Sequence, residues 1–116
     1  MNTDITQLLT LLQAQHQALY NLVGTTKDPK LAQAIMLEAQ EILSRINIAQ
    51  NLQMRQTAAS ITSAVADVGT ADTQLTKDLK TISDIAGIVN SVTKFLGYVD
   101  KAIDAAKTVA STIATI

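Results

Sequence analysis

The stretch ISDIAGIVNSVTKFLGYVDKAIDAAKTVASTIATI, residues 82–116, decides the fold class. It carries three interleaved series of apolar side chains, each recurring every seven positions. They are Ile82, Val89, Leu96, Ile103 and Ala110; Ile85, Val92, Val99, Ala106 and Ile113; and Ile88, Phe95, Ala102, Val109 and Ile116. On an α-helix these fall in one stripe, broader than a two-stranded coiled coil needs. Between them stand Ser83, Asp84, Asn90, Lys94, Gly97, Asp100, Lys101, Asp104 and Lys107, so the opposite face is polar. The pattern predicts an all-α protein whose last helix packs through a wide apolar face.

Upstream, the same period-3.6 reading gives two further helices. Asp4 with Gln7 three residues later resembles a capping box. Ile5, Leu8, Leu9, Leu12, Leu19, Leu22 and Val23 then share a face, with Gln15 and His16 inside that stripe. Gly24 reads as the helix stop, and Asp28-Pro29 as an N-cap followed by proline at the first helical position. From there to Gly69 the chain has neither Gly nor Pro. Leu31, Ile35, Ala39, Ile42, Leu43, Ile46, Ala49, Met54, Ile61, Ala64, Val65 and Val68 lie within about half the helical circumference. Glu41 and Arg45 are spaced for an i,i+4 pair. Gly69 reads as the second stop, with Thr70 or Asp72 capping the last helix. The expected helices therefore cover 4–23, 29–68 and 71–116, in one domain spanning 1–116. They form a long antiparallel hairpin with a shorter N-terminal helix, a three-helix bundle of coiled-coil character. The last helix is expected to be continuous through Gly87 and Gly97, or bent at Gly87.

Composition narrows the chemistry. The 116 residues are 47% apolar but only 3% aromatic, so Leu, Ile, Val and Ala must fill the core. Nine Lys and Arg against ten Asp and Glu leave no basic excess for nucleic acid. With no Cys, disulfides and thiolate ligands are excluded. The uncharged run 5–26 is interrupted by Gln7, Gln13, Gln15, His16, Gln17 and Asn21, which argues against a membrane span, and no secretory signal pattern opens the chain. A soluble protein is the expectation.

Individual candidates for chemistry fall to simpler readings. His16, the single histidine, sits in an apolar stripe without a partner motif, so a semi-buried imidazole hydrogen-bonded to Gln13, Gln15 or a neighbouring helix accounts for it. Glu38 and Glu41 have the i,i+3 spacing of a di-metal helix, but no Glu-x-x-His occurs to complete that site. Gly24-Thr25-Thr26-Lys27 has phosphate-loop residue types without the spacing or the preceding strand. Small secreted bacterial hairpin proteins carry Trp-x-Gly in their turn; here the tripeptide is Asp67-Val68-Gly69, and no family assignment follows. No enzyme, cofactor or metal is expected.

The expected helix lengths do not match. A first helix of about 30 Å cannot cover two of roughly 60–70 Å. The hairpin tip would be two helices thick, leaving Ile61, Val65, Ile82, Ile85 and Val89 as an apolar interaction surface. The functional expectation is a non-enzymatic helical interaction or structural protein, associating with itself or with a helical partner there. The alternative is a membrane-active helical protein, a pore-forming or lipid-surface component. A monomer would instead imply that a long helix breaks near Gly87 and folds back over its own core.

Overall fold

The computed structural model describes residues 3–52, 58–81 and 84–115. It contains four helices: α1 (Thr3–Thr25), α2 (Pro29–Gln50), α3 (Ala59–Leu79) and α4 (Ile85–Thr115). The all-α class holds, but the division into three helices does not. The expected helix over 29–68 ends at Gln50. Gly69 lies inside α3 instead of ending a helix, and the expected helix over 71–116 is interrupted between Leu79 and Ile85.

The reasons are local and physical. Around Gly69, the residues Ile61, Val65, Val68 and Leu75 keep helical spacing and are buried. A mid-helix glycine costs about 0.5–1 kcal/mol, whereas each buried Val, Ile or Leu contributes about 1.5–3 kcal/mol. Burial wins, and α3 runs through. The break before α4 has a cap: Asp84 Oδ1 accepts from the Gly87 backbone N–H at 2.7 Å, as an N-cap carboxylate does. Gly87 thus sits just inside a helix start, where the bend was expected near it. Asp28 caps α2 in the same way, accepting from Lys30 N at 3.0 Å ahead of Pro29. Gly24 falls within α1 and has no positive φ. The Thr25 and Thr26 hydroxyls close that helix by donating to Leu22 O at 3.1 and 2.6 Å.

α1 packs against α2 and α3, and α4 against α3 and α2, leaving α1–α4 and α2–α3 as the diagonals. The result is an elongated bundle of 54 × 21 × 19 Å. Short connections make α1–α2 and α3–α4 antiparallel hairpins. Between hairpins the neighbours run parallel: Thr62 donates to Asp4 Oδ2 at 2.8 Å, and further along Gln15 meets Asp72 and Thr76. The core runs the length of the bundle through Leu8, Leu12, Ile35, Ile42, Ile61, Val68, Ile88 and Val99. Ala39, Ala49, Ala102 and Ala106 are buried with them, small side chains that let helix backbones approach closely.

No two-helix tip exists in this arrangement. α3 folds back beside α1, so Ile61 (0% exposed) and Val65 (4%) belong to the interior. Met54 and Ile82 lie outside the described residues, as do the side chains of Ile113 and Ile116.

Candidate interaction surface

Of the residues expected to form an apolar surface, Ile85 and Val89 are at the surface, 43% and 38% exposed. They are one turn apart on the first turns of α4, beside Ile88 and Val92, which are fully buried. The apolar stripe of α4 is thus wider than its neighbours cover at this end. Further large side chains stand outside the core: Leu37 and Leu43 on α2, Tyr20 on α1 and Tyr98 on α4. Leu37, off the main stripe of its helix, is the most exposed of them. The two tyrosines are partly engaged. Tyr20 lies 4.9 Å from the His16 ring, tilted by 56°, and the Lys101 ammonium sits 5.5 Å from the Tyr98 ring centroid.

A groove of about 340 Å³ runs between α3 and α4. Its floor includes Leu75 and Phe95, and its rim Asp67, Asp78, Lys94 and Tyr98. Among the described residues no group of three or more His, Asp or Glu is placed to hold a metal ion. No helix there is long and apolar enough to cross a membrane.

Two polar seams join the hairpins. In the first, Gln15 is 2% exposed and donates from Nε2 to Asp72 Oδ1 at 2.7 Å and to Thr76 Oγ1 at 3.0 Å. Its Oε1 is buried without a partner in the protein. In the second, Arg45 reaches from α2 to α4, with Nε 3.0 Å from Asp100 Oδ1 and Nη2 3.3 Å from Oδ2. Its Nη1 lies 2.6 Å from Glu41 Oε2, the i,i+4 pair read in the sequence. The Asp100 and Glu41 carboxylates hold the guanidinium above its ordinary value. Desolvation, with the charge of Glu41, pushes the Glu38 carboxyl up. The sequence pointed to the Glu41 pair but not to Asp100 or Asp72. Their partners come from other helices, and only the tertiary fold supplies them.

By its fold the chain is a four-helix bundle of two hairpins, with polar seams and a partly exposed apolar start to α4. No family model matches it, and neither a curated protein nor a solved structure matches it significantly.

Proposed function

We propose that the chain is a non-enzymatic helical interaction protein that associates with a second copy, or with a helical partner, through the apolar start of α4. The observation that carries this reading is the exposure of Ile85 and Val89 in line with the buried stripe of the same helix. Burying what remains exposed would contribute roughly 1 kcal/mol per side chain, enough to centre an interface but not to constitute one. Tyr20, Leu37 and Leu43 offer further apolar area on the other hairpin. Ile61 and Val65 take no part in such a surface while the bundle is closed. The stripe that would serve a lipid surface in the membrane-active alternative is largely spent on the core, so that reading draws on little free apolar face.

The test is association measured by light scattering in wild type and Ile85→Lys. The lysine places a charge in the apolar contact and should weaken association about tenfold or more, while circular dichroism stays unchanged. A wild type that remains monomeric at hundreds of micromolar, or a variant that associates equally, rejects this surface. Flotation with neutral or anionic vesicles would favour the membrane alternative.

A further inference from the structure

The groove of about 340 Å³ between α3 and α4 stays open because small residues line it. Ala71 on α3 and Ser91 on α4 are half-buried there, where leucines would fill the space between the helices. Leu75 and Phe95, each 1% exposed, make an apolar floor, and the Tyr98 ring forms part of the wall. This volume is at the lower end of what small-molecule sites use. The charges around the floor are ordered along it. On α3 the lining spans 67–78 and has a carboxylate at each limit, Asp67 and Asp78. They are spaced i,i+11, close to three turns, so they share one edge of the helix about 16 Å apart. The Gln74 amide orients Asp78 by donating to its Oδ1 at 2.9 Å. On α4 the lining spans 91–98, with Lys94 near its middle. The two stretches face one another, so Lys94 stands opposite the middle of the α3 edge. From end to end the rim is negative, positive, negative. Among the described residues, Arg45 neutralises Glu41 and Asp100, but Asp67, Asp78 and Lys94 have no ion-pair partner.

We infer that this groove binds an elongated organic dication, an α,ω-diamine whose ammonium groups meet Asp67 and Asp78 and whose polymethylene chain lies over Leu75 and Phe95. A chain of methylenes covers the apolar floor without leaving a polar group unpaired against it. Lys94 repels a cation at the centre of the ligand, so it selects against polyamines that carry one there. A monoamine reaches only one of the two carboxylates, and a neutral chain gains from neither. The site does not use Ile85 or Val89 and is independent of association through them.

Amide NMR titration of the full chain tests this with decamethylenediamine, decylamine and homospermidine, the last of similar length but with an ammonium at its centre. We expect saturable shifts at 67–78 and 91–98, with a Kd below about a millimolar for the diamine. Decylamine should bind about three- to fivefold more weakly, the loss of one partly exposed ion pair. Homospermidine should also bind about threefold or more weakly, and Lys94→Gln should close that gap. Asp67→Asn and Asp78→Asn should each bring the diamine down to the affinity of decylamine for wild type. Ala71→Leu fills the groove and should weaken the diamine about tenfold or more while circular dichroism stays unchanged. The aspartate variants, which alter no packing, carry the test should Ala71→Leu disturb the fold. No saturable shift up to about ten millimolar diamine overturns the site, as do shifts centred elsewhere. A monoamine or homospermidine as tight as the diamine overturns it too, as does an affinity unchanged in both aspartate variants.

Discussion

Two residues show how single side chains set this bundle. Gly69 is helical, and a Cβ built there meets nothing within 4 Å. Gly69→Ala should therefore raise stability by about 0.5–1 kcal/mol in urea unfolding, whereas a turn at this position would make it destabilising. Asp72 lies where the α3 stripe would otherwise continue between Val68 and Leu75, and its partner is the buried Gln15 amide. Asp72→Ala removes the shortest of that amide's bonds but leaves Thr76 Oγ1 and the backbone carbonyl of residue 72 as acceptors, so it should cost about 0.5–1.5 kcal/mol. Paired with Gln15→Met, it should cost less than the two single changes together, by a coupling of about 0.5–3 kcal/mol. These positions also mark where the sequence was misread. A glycine followed by Thr70 and Asp72 has the composition of a turn, and the polar Asp72 hides the continuity of Val65, Val68, Leu75 and Leu79. The signal was the unbroken 3–4 spacing on both sides. What makes a half-buried Asp72 acceptable beside the core is Gln15, 57 residues away, and local pattern does not supply that pairing.

At the scale of elements, caps and seams divide the work. α4 was legible as an amphipathic helix because its stripe is long and regular, and its start lies at Asp84 because a carboxylate there meets the Gly87 amide. The end of α2 was not legible, since no Gly, Pro or capping residue marks it; α3 folds back because Ile61 and Val65 gain burial beside α1. Between α2 and α4, the Arg45–Asp100 pair is partly exposed, so Arg45→Met should change stability by no more than about 1 kcal/mol, less at high salt. Glu38 adds a pH dependence of known sign. Its folded value is raised by desolvation and by Glu41, so the folded state holds that proton more tightly than the unfolded chain. Stability from this group is present at acid pH and lost as pH rises through the raised value. Glu38→Gln should be more stable than wild type at neutral pH, with the difference shrinking towards acid in urea titrations. A variant less stable than wild type at pH 7 would show that Glu38 is held by attraction instead.

The whole molecule is two antiparallel hairpins held together by polar seams. The mismatch of helix lengths inferred from sequence is resolved within one chain, by breaking both long helices. The apolar excess left over is therefore smaller than a bare hairpin tip would expose, and it is divided between Ile85 and Val89 at the start of α4 and Leu37 and Leu43 on α2. Ile85 and Val89 lie at the surface, but not for the reason read in the sequence: the two-helix tip is absent, and a regular apolar series alone predicts burial, as Val92, Leu96 and Val99 show. That Ile61 and Val65 do not was illegible, because it depends on α3 lying beside α1 and α4. The central claim is that this residual surface is used for association, and sedimentation equilibrium of wild type and Ile85→Lys from about 5 to 500 μM tests it most directly. The account predicts a mass rising above 12.4 kDa with concentration in wild type and a curve displaced about tenfold or more to higher concentration in the variant. A single 12.4 kDa species in both across the range would contradict it.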